Sequence, residues 1–176
     1  MKTINTYSGE IMSPLVPKTD QIHLIDIAHS LSQMCRANGH FDRFFSIAQH
    51  CINCAIEARE RGYSKKVQLA CLFHDSSEAY ISDITRPVKE CLPNYIEMEE
   101  RLQNLIYEKF LEEKPTEEEL KIINEIDFNM LILEFNTLTT KRIFEKEPKI
   151  YSKPNLKFTS FNKTKRDFLK LYKEIM

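Results

Sequence analysis

The sequence predicts an all-α protein organised as a single domain. Three observations carry that expectation. Glycine is scarce, at 3 of 176 residues, and proline numbers 7; a β-sandwich or a Gly-rich nucleotide loop needs more turn residues than this. Apolar residues recur three and four positions apart along most of the chain, the period of a helix with one face on a core. Two capping-box patterns, Ser46-x-x-Gln49 and Thr116-x-x-Glu119, stand directly before such runs.

The elements follow in order. Residues 1–18, with Tyr7-Ser8-Gly9 and two prolines, read as irregular chain or a short hairpin. Leu24, Ile27, Ala28, Leu31 and Met34/Cys35 predict a helix over 20–36, with Gly39 just past its end. Ser46 opens a second helix striped by Ile47, Cys51, Cys54, Ala55 and Ala58, and Gly62 stops it. A third, capped by Ser64, runs from Val67 to about Ala79; Leu69-Ala70-Cys71-Leu72-Phe73 is apolar all round, so it belongs at the centre. Residues 81–94 suit a loop. A fourth helix is expected over about 95–112 and a fifth from Thr116 to about 139. After an irregular stretch at 146–162, a last helix covers about 163–175. The sum is about six helices and no strand.

Composition narrows the function. Apolar residues make up 42% and charged residues 29%, ordinary for a soluble domain. Lys plus Arg number 25 against 26 Asp plus Glu, a net charge of −1, which gives no support to a nucleic-acid or membrane partner. No apolar run approaches the roughly 20 residues of a membrane span. Met1 to Tyr7 lack the apolar stretch of a secretory signal, and the cysteines at 35, 51, 54, 71 and 91 form an odd set; both point to reduced thiols in a cytoplasm. Cys51-x-x-Cys54 has no second Cys or His pair at matching spacing, so it reads as two small apolar residues on one helix face rather than a zinc site.

Chemistry shows as polar residues on faces that should be apolar. Asp127 has Leu120, Ile123, Met130 and Leu131 as its helical neighbours, so its carboxylate is expected on the core-facing stripe, where it needs a cation or several donors. A buried salt bridge would satisfy that need as well. His74-Asp75 closes the most buried helix, His50 lies one turn into the second, and Glu78 follows His74 by four positions. Two imidazoles and two carboxylates suit one octahedral divalent ion with open positions, leaving Glu78 beside it.

The ordered set His50…His74-Asp75…Asp127 resembles the H…HD…D pattern of the HD-domain metal-dependent phosphohydrolases. His74-Asp75-Ser76-Ser77-Glu78-Ala79-Tyr80 is similar to the HDxxE form of small bacterial and phage members. Tyr7-Ser8-Gly9, Asp26-Ile27-Ala28-His29, Arg36-Ala37-Asn38-Gly39-His40, Phe45-Ser46-Ile47-Ala48-Gln49-His50 and Asp83-Ile84-Thr85-Arg86-Pro87-Val88-Lys89 extend the resemblance over nearly the whole chain.

That resemblance, to the bacterial 5′-deoxynucleotidases and phage dATP triphosphohydrolases, implies one HD-type helical bundle over residues 1–176, with a metal core at about 20–140. It implies a cytoplasmic homo-oligomer. It implies hydrolysis of (deoxy)nucleotide phosphates by water activated on one divalent ion: Mn, Co, Fe, Ni, Zn or Mg. By the same likeness His50, His74, Asp75 and Asp127 are the metal ligands and Glu78 is the catalytic acid/base. It also makes Arg36 a phosphate contact and Asp83 a substrate contact; Lys89, a cation able to stabilise charge on phosphoryl oxygens, is the third candidate on the substrate side. The nucleotidases carry Trp after the arginine, whereas this chain has Ala37 and no Trp at all, a difference that touches base and sugar selection.

Two other readings stay open at this point. An HD site can bind a nucleotide or metal as a sensor without turnover, although an intact Glu78 would then have no task. Members of the group also hydrolyse cyclic dinucleotides and alarmone nucleotides, at sites with extra His or Glu motifs not visible here.

Overall fold

The computed structural model describes residues 2–176. Their architecture is all-α, in a single domain, as the periodicity predicts. The chain opens with a two-residue hairpin, β1 (Ile4–Asn5) antiparallel to β2 (Ile11–Met12), in register Ile4 with Met12. The α-helices follow in chain order: α1 (Leu24–Gln33), α2 (Ile47–Glu60), α3 (Lys65–Phe73), α4 (Glu78–Ile81), α5 (Arg86–Lys89), α6 (Pro93–Leu111), α7 (Glu117–Leu138) and α8 (Phe161–Ile175). Of these, α4 and α5 are single turns between the longer α3 and α6. None of the helices is long and apolar enough to cross a membrane.

Helix α3 is the centre. Leu69 through Phe73 are all buried. The helix packs on α2, α6, α7 and α8, which is why its apolar residues occupy every face. The Phe73 ring stacks on Phe110 of α6 at 4.7 Å and meets Phe168 of α8 edge-on at 5.8 Å. On α8, Thr164, Phe168, Leu171 and Ile175 form the buried face, the three-to-four spacing of one helical stripe.

Several boundaries differ from expectation. The first helix begins only at Leu24, after a 3₁₀ turn at Thr19–Gln21. The third stops at Phe73 instead of reaching Ala79. There the backbone tightens into i→i+3 bonds, Ser76 N to Phe73 O and Glu78 N to Asp75 O. Gln103 of α6 fills the break: its Nε2 donates to Phe73 O at 2.7 Å, and its Oε1 accepts from Ser77 N at 3.1 Å. The expected loop at 81–94 contains the α5 turn.

The caps divide. Thr116 makes the full reciprocal box with Glu119. Ser46 accepts from Gln49 N, but the Gln49 side chain turns away and donates to the carbonyls of Asn155 and Lys157. Gln49, Asn53 and Glu57 form a buried polar stripe at i, i+4 and i+8 on α2. Glu57 accepts from Tyr151 N and Ser152 N, and Asn53 from Asn155 N. The irregular 151–157 segment is thereby held on α2, its backbone donors satisfied by side chains.

Candidate metal centre

His50 is fully buried on α2, His74 caps the end of α3, Asp75 follows it, and Asp127 comes from α7. The structure brings these four together. His50 Nε2 is 3.1 Å from His74 Nε2, 3.0 Å from Asp127 Oδ1 and 3.8 Å from Asp75 Oδ2. His74 Nε2 is 3.4 Å from Asp75 Oδ2 and 3.7 Å from Asp127 Oδ1. The break after Phe73 allows consecutive residues, which an α-helix would hold about 100° apart, to reach one point.

The donor chemistry tests whether these residues fit a metal. His74 Nδ1 lies 2.7 Å from Cys71 O, and His50 Nδ1 lies 2.7 Å from Glu134 Oε1. A carbonyl and a carboxylate accept, so each Nδ1 donates, and each Nε2 is left to face the cluster. Two Nε2 atoms and two carboxylate oxygens therefore face one point, a donor set that a divalent ion suits. Ligands about 2.1 Å from one ion lie about 3.0 Å apart at right angles and about 4.2 Å apart when opposed. The observed separations fall in that range, so the set fits a divalent ion. The Sγ atoms of two cysteines also border it: one ligand atom each from His50, Cys54, His74 and Asp127 lie within 4.8 Å of one another, as do those of Cys51, His74 and Asp75.

Cys51-x-x-Cys54 is thus buried on a helix face, as its spacing predicts, but it also touches the imidazoles. Burial pushes both thiols up, and Cys71 to about 12. All three are packed as neutral thiols.

Asp127 does not sit in the apolar core. Leu120 is exposed, and the buried face of α7 runs instead through Ile123, Ile126, Met130 and Glu134. The Asp127 carboxylate is crowded by protein atoms yet leaves 31% of its side chain open to a cleft. Despite desolvation, hydrogen bonds from His50 and His74 hold it well below the usual carboxylate range. Burial opposes charge on His74, but Asp75 and other neighbours raise it well above the ordinary histidine value. His50 is raised too: burial and Arg36 oppose its charge, and Glu134 and Asp127 outweigh them.

Glu134 is a fully buried carboxylate that the sequence reading missed. It bridges His50 Nδ1 and Arg36 Nε, the latter at 2.8 Å. A carboxylate behind a ligating imidazole fixes its tautomer and raises its basicity. The signal was available: 134 is two helical turns beyond 127, on the same face.

Arg36 lies past the end of α1 rather than on it, in a 3₁₀ turn with left-handed Ala37 (φ 53°) and Asn38 (φ 48°). Arg36 N donates to Phe45 O and Ile47 N to Met34 O, pinning the turn to the start of α2. Its guanidinium reaches Asp75 Oδ2 at 3.3 Å and Asp127 Oδ1 at 3.5 Å, so it also neutralises the carboxylate pair.

Glu78 opens α4 and is buried, and its Oε2 has no hydrogen-bond partner among the described residues. Burial, Asp75 and Asp83 together raise its pKa well above the usual range. Asp83, half-buried after α4, is raised by burial and Asp75. Lys89 on α5 pairs with Glu99 at 2.7 Å and lies over the Tyr95 ring.

Two clefts flank the cluster. One, of about 260 Å³, is lined by His74, Asp75 and Asp127. The other, of about 530 Å³, gathers the three residues expected to meet substrate, Arg36, Asp83 and Lys89. Lys89 lines both.

No protein-family model matches the chain. It is 38% identical over 110 residues to the Escherichia coli (strain K12) protein YfdR, covering 62% of this chain and 59% of that one. It is 32% identical over 108 residues to a protein of Rhodobacter capsulatus, covering 58% and 55%. Both relatives are described as uncharacterized. The matched region spans less than two thirds of either relative's length.

Proposed function

We propose that the protein is a metal-dependent phosphohydrolase of the HD group acting on (deoxy)nucleoside phosphates. The observation that carries this reading is the convergence of His50 Nε2, His74 Nε2, Asp75 Oδ2 and Asp127 Oδ1 from three parts of the fold, at separations of 3.0–3.8 Å.

A divalent ion bound there supplies Lewis acidity, lowering the charge barrier at a phosphoryl group and the pKa of water. The chain's own residues do the rest. Glu134 locks the His50 tautomer through Nδ1, and the Cys71 carbonyl does so for His74. Glu78, whose pKa is raised by burial, Asp75 and Asp83, would give a proton to a leaving oxygen and take one from water on the return step. Arg36 is anchored through Nε by Glu134, and its terminal nitrogens, which already reach Asp75 and Asp127, border the larger cleft, where their remaining hydrogens would meet phosphate. That planar fork suits phosphate oxygens. Lys89 adds positive charge where the two clefts meet.

Phosphate or tripolyphosphate release from nucleoside mono- and triphosphates, measured with each of the six divalent metals, tests the reading. Turnover that requires metal and disappears in Asp75→Ala and Asp127→Ala is the expected result. Metal-loaded protein that releases neither phosphate nor tripolyphosphate from any of these compounds would overturn it.

A further inference from the structure

The larger cleft has two chemically different halves. Arg36, Asp83, Arg86 and Lys89 supply its charged lining, and Arg36 reaches the metal cluster. Phe128, Leu131, Phe135 and Phe144 form the other half, a wall with no hydrogen-bonding side chain. Ala37, with no side chain beyond Cβ, also lines the cleft.

The wall is held in place. Phe144 meets Phe128 edge-on at 6.5 Å and Phe135 at 6.0 Å. Phe144 sits on irregular chain, yet Asn136 of α7 clamps that chain: its Nδ2 donates to Phe144 O, and its Oδ1 accepts from Ile143 N and Phe144 N. Phe128 follows ligand Asp127 directly on α7 and is 41% exposed. A large aromatic kept in water beside a charged site leaves apolar surface uncovered. The exposed Lys146, 5.4 Å over its ring, is a flexible cover that a ligand can displace.

We infer that the Phe128–Phe144 wall is the base-binding half of the site, and that the substrate is a nucleoside phosphate with its planar base on this wall and its phosphate toward Arg36. The inference deepens the proposed function and rests on its placement of phosphate at the metal cluster. Charge complementarity sets the orientation, since Arg36 and Lys89 line the cleft beside the metal cluster, whereas the wall has only the exposed Lys146 over one ring. The volume of about 530 Å³ lies within the range of small-molecule sites. An aromatic wall selects for a π-face rather than for one base. Asn136 is a positioning residue acting through Phe144.

The test is equilibrium binding of adenosine 5′-monophosphate, ribose 5-phosphate and inorganic phosphate to metal-loaded protein. The wild type should bind the base-bearing compound tighter. Phe128→Ala and Phe144→Ala should each cut that advantage by about 5- to 150-fold, the range for losing one base–aromatic stack. Phe128→Tyr should restore it, and Asn136→Ala should mimic Phe144→Ala. Phe128 is exposed enough that its variants should fold, which a melting curve checks. Equal binding of the two sugar phosphates by wild type, or an advantage unchanged in Phe128→Ala, overturns the inference even if phosphate is hydrolysed. Base-dependent binding that responds to these variants, with no hydrolysis of any compound, would uphold it and sink the phosphohydrolase reading.

Discussion

Glu134 is the residue on which two others depend. Its carboxylate holds both His50 Nδ1 and Arg36 Nε. Glu134→Gln keeps the volume and loses the charge; it should weaken metal binding about 10- to 100-fold, the usual effect of removing such a partner, read by competition with a chelating dye. Unchanged affinity would mean that Cys54 and the surrounding packing orient His50 without it. Glu78 gives a second prediction, with a sign. Its folded pKa is raised well above the unfolded value, so its contribution to stability is full below the ordinary glutamate range, about 4.3, and is lost as pH rises through the raised value. Metal-free Glu78→Gln should therefore gain melting temperature over wild type as pH climbs toward neutrality and beyond. Parallel curves would show that Glu78 ionises freely. The same substitution should retain metal while turnover falls about 10²- to 10⁴-fold. The clustering of His50, His74, Asp75 and Asp127 was legible in the sequence because two imidazoles and two carboxylates at helical positions are costly unless they share partners. Glu134 escaped notice because a lone glutamate on a helix reads as surface, and only its two-turn spacing from Asp127 says otherwise.

At the scale of elements, the break between α3 and α4 does what a longer helix could not. It turns His74 and Asp75 onto one point, and Gln103 satisfies the backbone groups that the break frees. Gln103→Ala leaves the Ser77 N–H without its partner, while Phe73 O keeps its bond from Ser76 N; the loss should cost about 1–3 kcal/mol, read from denaturant midpoints. It should also lower metal affinity, because the turn holding His74 loosens. A stability loss with metal affinity intact would show that α3 alone sets the ligand geometry. The break was not legible beforehand: Ser76-Ser77-Glu78-Ala79 continues the helical pattern, and the residue that interrupts it comes from another helix. The Gln49, Asn53 and Glu57 stripe was hidden in the same way. Its i, i+4, i+8 spacing marks one face, but what that face holds is the backbone of 151–157, which has no periodicity of its own.

For the whole molecule, the fold class was legible because amphipathic period and caps agree along the chain. The position of Asp127 was not, because a stripe assigned by period alone cannot say where a core ends and a cleft begins. Helices α2, α3 and α7 pack around the cluster, so an ion bound there would tie together the centre of the domain. Chelation of metal-loaded protein should then lower its melting temperature, by an amount that grows with the ratio of metal concentration to Kd. The most direct measurement is the metal content of the chain by elemental analysis after dialysis, for wild type, Asp75→Ala and Asp127→Ala. One divalent ion per chain in the wild type, lost in both variants while each remains folded, is the predicted result. A wild type that retains no stoichiometric metal after loading with any of the six ions, or variants that keep theirs in full, would contradict the account.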